Sequence, residues 1–299
     1  MKPDSPSDTA ILIARSILLS ANLVGHAPLL APGERETIHH FLGKRAETGW
    51  FAAATRHRWT RRCLMVAERL LLRGIFAHYL ARKRWIEREA RRALEGHGAR
   101  QLVIIGAGYD SLGWRWCRED PGLRCFELDH PATQQSKRIA TDAAEGFHLL
   151  PVDLSTQLPE AVLAKCPSFD PSRPAVVIVE GVTMYLDPTH VAELLASCAR
   201  IAGPRGRVIF TFMERAADGS LGFRAESSWI RRWLRWRKEP FRWGCSREEL
   251  HDFLKSPGLQ PRVIADHHTL RGEILHPRGI GALPLARGEC LCLCEPILP

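Results

Sequence analysis

The stretch Gln101-Leu-Val-Ile-Ile-Gly-Ala-Gly-Tyr-Asp-Ser111, followed by Cys125-Phe-Glu-Leu-Asp-His-Pro131, decides the fold. An apolar, β-branched run breaks at Gly106 and Gly108, and a second run ends in Asp129, 21 positions after Gly108. In an open α/β sheet the glycines let the backbone approach a ligand, and an acid at the tip of the next strand takes ribose hydroxyls. Glu127 points to the same side as Asp129, but Asp129 lies nearer the tip and is the better ribose ligand. Ser111 stands where the dinucleotide fingerprint needs its third glycine. Pyrophosphate requires that close turn onto a helix N-terminus, whereas a cofactor without phosphates does not. The site therefore reads as nucleoside-binding, closer to S-adenosylmethionine (SAM) than to NAD.

Around this stretch the pattern alternates. Strands are expected at about 101–106, 124–129, 147–152, 175–180, 206–213, 261–268 and 289–295. Helices are expected between them, notably Pro131–Ala144, Pro188–Ala202 and Arg247–Lys255. Asp187-Pro188 supplies a capping side chain and a first-turn proline, and Ser246-Arg-Glu-Glu249 is a capping box. Such alternation predicts a mainly parallel sheet of about seven strands. Ahead of it, Ala10–Val24 has helical spacing, and residues 34–96 read as helical with only Gly74 interrupting. This leader, residues 1–98, is expected to form a helical cap over the ligand edge of a sheet domain at 99–299. A lid insertion is expected near 214–245, where Trp229, Trp233 and Trp236 share one helical face among arginines, with core packing or a membrane-surface helix as the alternatives.

Two further acids fall at strand tips. Asp153, in Leu150-Pro-Val-Asp-Leu154, can accept from an exocyclic amine while the Leu154 backbone follows the ring edge. Glu180 follows four apolar residues, so its charge needs a partner or a cavity. A sulfonium, an ammonium or a structural salt bridge would each serve.

The formal charge is +9 over 299 residues, with Lys and Arg crowded at 56–92 and 224–247. A basic face attracts nucleic acid, anionic surfaces or acidic substrates, although solvated arginine-rich helices are the plainer expectation. None of the nine cysteines forms a C-x-x-C pair, which points to reduced thiols and a cytoplasmic setting. Cys290, Cys292 and Cys294 alternate with leucines and are expected to be buried on one strand face rather than to bind metal. No apolar run reaches the roughly 20 residues of a membrane span, and no signal-peptide pattern opens the chain.

The strings "QLVIIGAGYDS", "FELDHPATQQSKR" and "VEGVTMYL" together resemble the leucine carboxyl methyltransferase family, and more closely its bacterial SAM-dependent O-methyltransferases. The likeness extends to "SDTAILIAR", "ARKRWIE" and "KEPFRWGCSREELHDFL". It implies a class I methyltransferase (Rossmann-like) fold. It further implies that Arg82 binds the cofactor's carboxylate, that Gly106 and Gly108 form the loop, and that Asp129 holds the ribose. Asp153 and Leu154 would clamp adenine, and Glu180 would complete the cofactor site. Arg82 suits the task because a guanidinium grips a carboxylate bidentately. Without the resemblance, its position among Lys83, Arg84 and Arg88 reads as solvated helix. The sequence departs from the family at Ser111 and at Gly113, which is expected to break the helix start.

The expected chemistry is methyl transfer from SAM to oxygen, achieved mainly by alignment. A carboxylate acceptor needs no base; a hydroxyl acceptor does, and spacing identifies none. Tyr185 could orient the acceptor. A basic interior wall would favour a carboxylate-bearing substrate, while the bacterial resemblance points to a small hydroxylated, polyketide-like acceptor. Two rivals stand beside this reading: a nicotinamide-dependent oxidoreductase, and an RNA-directed protein using the basic helices, for which no RNA-binding signature is present.

Overall fold

The computed structural model describes residues 8–139, 141, 144–224 and 240–297. Five parallel strands form its centre: β1 (Gln101–Ile105), β2 (Arg124–Asp129), β3 (Phe147–Pro151), β4 (Ala175–Val179) and β5 (Arg207–Glu214). With β7 (Leu259–Ala265) and β8 (Glu289–Pro296) the order is β3-β2-β1-β4-β5-β8-β7, and β8 runs antiparallel to both neighbours. The expected seven strands are all present. An eighth, the two-residue β6 (Gly244–Cys245), pairs with the end of β5 and is too short to leave a periodic signal.

β1 and β4 are buried at every position, so their sequences are continuous β-branched runs rather than alternating ones. Alternate residues still go to different sides. Leu102, Ile104, Val176 and Ile178 join one core, and Val103, Ile105, Val177 and Val179 join the other. The leader belongs to the first core: Ile17, Phe41, Leu80 and Trp85 pack in the same cluster as Leu102 and Ile104. Helices α1 (Asp8–Ser20), α2 (Glu34–Leu42) and α5 (Ile75–His97) make up this layer, while α3 (Gly49–Arg56) and α4 (Arg58–Leu71) pack at its side in a smaller cluster with Ile75 and Phe76. The layer thus covers a sheet face as well as the ligand edge. The helical reading of 34–96 is interrupted at 43–48 and at His57 as well as near Gly74.

The α6 helix (Leu112–Glu119) corrects one expectation. Gly113 does not break the helix; it sits inside the first turn, buried. A Cβ there would lie 2.4 Å from Cys125 Sγ and 2.9 Å from Glu127 Oε1. The close helix-on-strand approach that a third loop glycine usually provides is made two residues later.

Other elements meet their boundaries with small shifts. The helix after β2, α7, spans Pro131–Arg138, shorter than the expected Pro131–Ala144. Between β3 and β4 comes the short α8 (Pro159–Leu163). The α9 helix (Pro188–Ala202) is capped by Asp187, whose side chain accepts from the His190 N–H. The α10 helix (Arg247–Lys255) carries the Ser246–Glu249 capping box. Cys290, Cys292 and Cys294 are buried on one face of β8, and no cluster of metal-ligating side chains occurs among the described residues. Residues 225–239, including Trp229, Trp233 and Trp236, lie outside the described residues.

Candidate active site

Strand register builds the site. Ile105 of β1 pairs with Leu128 of β2 and with Val179 of β4. The next residue of each strand, Gly106, Asp129 and Glu180, therefore comes to the same sheet edge. β1 lies between β2 and β4, so the chain leaves β1 in one direction and returns on its other side, which is where open α/β sheets bind ligands. A cavity of about 560 Å³ opens there, within the roughly 300–1,000 Å³ typical of ligand sites.

Every site residue expected from sequence lines this cavity: Arg82, Gly106, Gly108, Asp129, Asp153, Leu154, Glu180 and Tyr185. Glu127, the reserve ribose ligand, does not. It is fully buried and paired with Lys137 Nζ at 2.5 Å, and burial pushes its carboxyl up to about 7.

The loop after β1 turns sharply. Gly106 has φ +70°, and a Cβ there would lie 2.2 Å from Val182 Cγ2, so only glycine fits. Gly108 N–H donates to Asp129 Oδ2 at 2.5 Å and His130 N–H donates to Oδ1 at 2.6 Å. Burial raises the Asp129 carboxyl above its usual range, while these two N–H groups oppose the rise. Each oxygen accepts one backbone bond and retains acceptor capacity toward the cavity. Asp153 is exposed, and its Oδ1 accepts from Ser155 N–H at 3.0 Å and Ser155 Oγ at 2.6 Å, which lowers its pKa.

The opposite end of the cavity holds a buried charge network. Arg82, Lys83 and Arg84 are buried on α5, not solvated as their basic surroundings suggested. Arg82 Nε donates to Glu180 Oε1 at 2.8 Å, with Nη2 2.6 Å from the same oxygen, and Nη1 donates to both oxygens of Glu289 at 2.8 and 2.9 Å. Those four contacts leave at least one of the guanidinium's five N–H groups for a ligand. Lys83 Nζ donates to Asp110 Oδ2 at 3.0 Å and to Glu180 Oε2 at 3.3 Å. Burial alone would lower both cations' pKa values; the adjoining carboxylates hold them raised instead. Burial likewise works against the charged form of Asp110, but Lys83 and Lys137 keep its carboxyl well below the usual range. Glu180 thus finds its required partners inside the protein.

Behind Arg82, Glu289 accepts from His78 Nε2 at 2.9 Å, and both side chains are buried. Against burial, Arg82 and the His78 hydrogen bond hold the Glu289 carboxyl at about 2. An ionised carboxylate only accepts, so His78 carries its proton on Nε2.

The described lining departs from the expected basic interior wall: among the described residues it has three cationic side chains, Arg82, Lys83 and Arg242, against four carboxylates, Asp110, Asp129, Asp153 and Glu180. Glu289 adds another negative charge behind Arg82. In a chain of formal charge +9, the described part of the lining carries one more carboxylate than cation.

Glu289, Lys83 and Asp110 were not assigned a role from sequence; α1, expected in the leader over the ligand edge, forms an apolar wall with Ala10, Ile13 and Ile17. Asp110 stood within the quoted loop stretch. Glu289 carried one signal, an acid opening a strand that is otherwise apolar. The turn after β4 is fixed by Thr211 of β5, whose Oγ1 accepts from Gly181 N–H at 2.8 Å. It presents Tyr185 to the cavity, with its ring 5.7 Å from that of Phe241.

Comparison with known proteins agrees with this architecture. The chain is 35% identical over 145 residues to a protein from Mycobacteroides abscessus provisionally named an S-adenosyl-L-methionine-dependent methyltransferase, covering 46% of each sequence. A similarly named protein from Mycobacterium tuberculosis strain H37Rv is 35% identical over 133 residues, 43% of each sequence. The chain therefore spans less than half the length of these relatives. Among solved structures, a provisionally named methyltransferase from Thermobifida fusca YX superposes with a TM-score of 0.59 at 15% identity, covering 87% of this chain and 93% of that one. A DUF574 family protein from Streptomyces avermitilis MA-4680 gives 0.58 at 14% identity, covering 86% and 95%. These two likenesses bear on the fold alone. The leucine carboxyl methyltransferase family profile matches residues 35–199, more than half of the chain, and the protein belongs to that family.

Proposed function

We propose that the protein is a SAM-dependent O-methyltransferase whose cofactor occupies the cavity at the carboxyl edge of the sheet. The observation that carries this reading is the convergence of Gly106, Asp129 and Glu180 on one sheet edge, at a cavity whose described lining holds four carboxylates against three cations. A cationic, phosphate-free nucleoside fits that charge; the pyrophosphate of a nicotinamide dinucleotide would meet a carboxylate excess. The RNA-directed reading loses part of its basis, because Arg82 and Arg84 of the basic run at 56–92 are spent in buried ion pairs.

The residues present suit the group. Asp129 would accept from the ribose hydroxyls, fixed for the purpose by the Gly108 and His130 N–H groups. Asp153 and Leu154 would border the base, and the unspent N–H of Arg82 would take the amino-acid carboxylate. Glu180, between Arg82 and Lys83, would hold their heads in place. When bound, SAM supplies an activated methyl group on a sulfonium. Catalysis by the chain then consists mainly of alignment and of excluding water. The α1 wall and Tyr185 face the space left for an acceptor, and Tyr185 would orient its oxygen. With one more carboxylate than cation in the described lining, a small hydroxylated acceptor is as well served as a carboxylate, and the acceptor class is part of the proposal.

Incubation with methyl-labelled SAM and a metabolite extract, followed by product mass analysis, tests the reaction. The expected product gains one methyl on oxygen. Parallel calorimetry with SAM, NADH and a short RNA separates the three readings: heat with NADH or RNA, but none with SAM, would overturn this one.

A further inference from the structure

Helix α4 contributes no buried residue to the fold, yet it is strongly patterned. On the helical repeat, Trp59, Cys63, Val66 and Leu70 follow one another at spacings of four, three and four, which places them in a single stripe. Trp59 is 76% exposed, Val66 58% and Leu70 73%. With Trp50 on α3, these are four of the eight large apolar side chains exposed among the described residues, so half of that surface lies within 21 positions. Beside the stripe, Arg58, Arg62 and Arg69 form a second exposed row, and the Arg62 guanidinium lies 5.5 Å from the Trp59 ring centre. Leu64 and Met65 point the other way, into the cluster around Phe76.

Two features select the occupant. The first is charge. Helix α4 carries four arginines against one glutamate, and that Glu68 is occupied in accepting the Gly74 N–H at 2.5 Å. A second copy of the helix would set arginine rows against each other, so the complement must be anionic. The second is shape. From Trp59 to Leu70 the stripe runs about 16 Å at 1.5 Å per residue, one side chain wide on a convex helix. A stable protein partner needs about 800 Å² on each side. A bilayer needs only an apolar stripe with basic flanks, lying in the plane of the headgroups with tryptophan at the boundary.

We propose that α4 is an interfacial helix that docks the protein on an anionic phospholipid surface. Trp59, Val66 and Leu70 would enter the headgroup boundary while Arg58, Arg62 and Arg69 meet lipid phosphates. This inference does not depend on the methyl-transfer reading.

Co-sedimentation of the full chain with vesicles tests it. We expect binding to vesicles of equal phosphatidylglycerol and phosphatidylcholine at least tenfold tighter than to phosphatidylcholine alone, and weakened by 0.5 M salt. Leu70→Glu should reduce that binding at least tenfold, as should Arg62→Glu with Arg69→Glu; their exposure leaves the fold intact, which circular dichroism verifies. Absence of binding to the anionic vesicles overturns the proposal. So does anionic binding that Leu70→Glu leaves unchanged, because charge elsewhere on the surface then suffices. Equal affinity for poly-glutamate would assign the face to an acidic protein instead. Concentration-dependent dimers abolished by Leu70→Glu, without vesicle binding, would assign it to a second copy.

Discussion

Glu289 stands directly behind Arg82, both its oxygens within 2.9 Å of the guanidinium Nη1, although 207 positions separate them in sequence. Removing one member of a buried pair leaves a charge without its counter-ion, at a cost of about 3–5 kcal/mol. Arg82 would keep Glu180, so Glu289→Gln should cost about 3 kcal/mol, read by urea unfolding. It should also weaken S-adenosylhomocysteine more than methylthioadenosine, which lacks the amino-acid tail that Arg82 would hold. Calorimetry with the two ligands checks that separation.

Stability should fall in acid for the same reason. The Glu289 carboxyl titrates at about 2 in the folded chain against 4.5 ordinarily. A depressed folded pKa contributes stability that is present above pH 4.5 and lost as pH falls toward 2, about 3 kcal/mol in all. Unfolding free energy followed through that window should decline in the wild type and decline less in Glu289→Gln.

Asp129→Asn should weaken SAM at least tenfold, about 1.4 kcal/mol, and lower the unfolding free energy by about 1–3 kcal/mol. The amide turns one N–H donor toward a backbone N–H that the carboxylate accepted, and the ribose loses an anionic acceptor. Titration calorimetry beside thermal unfolding distinguishes lost binding from lost fold.

Gly106→Ala and Gly113→Ala should part company. The first demands a strained φ and a methyl 2.2 Å from Val182 at the cavity rim, costing about 1–3 kcal/mol of strain and SAM binding as well. The second wedges α6 from β2 and should lower the unfolding temperature, while any enzyme that folds still binds SAM. Both are checked by thermal unfolding with and without ligand.

Tyr185→Phe keeps the ring contact with Phe241 but removes the hydroxyl. We expect turnover to fall about tenfold while SAM affinity is unchanged, measured by single-turnover methyl transfer.

The sheet was legible because β1 and β4 are buried on both faces and so appear as β-branched runs ending at Gly106 and Glu180, with the mostly apolar β2 ending in Asp129. Gly106, Gly108, Asp129, Asp153 and Glu180 were legible because they lie at or just past strand tips, whereas Arg82, on α5, came from the family resemblance alone. Pairing was not legible. Arg82, Lys83 and Arg84 sit in a run of basic residues that looks solvated, and only the long-range return of β8 brings Glu289 behind Arg82. Net charge misled in the same way: a composition of +9 says nothing about which side chains enter the cavity. Gly113 misled because helix propensity disfavours glycine, whereas contact with Cys125 requires it.

A crystal structure with S-adenosylhomocysteine tests the central claim most directly. The account predicts density in the cavity, with ribose oxygens on the Asp129 carboxylate and the ligand's carboxylate on Arg82. Ligand bound elsewhere, or a cavity without ligand at saturating concentration, would contradict it.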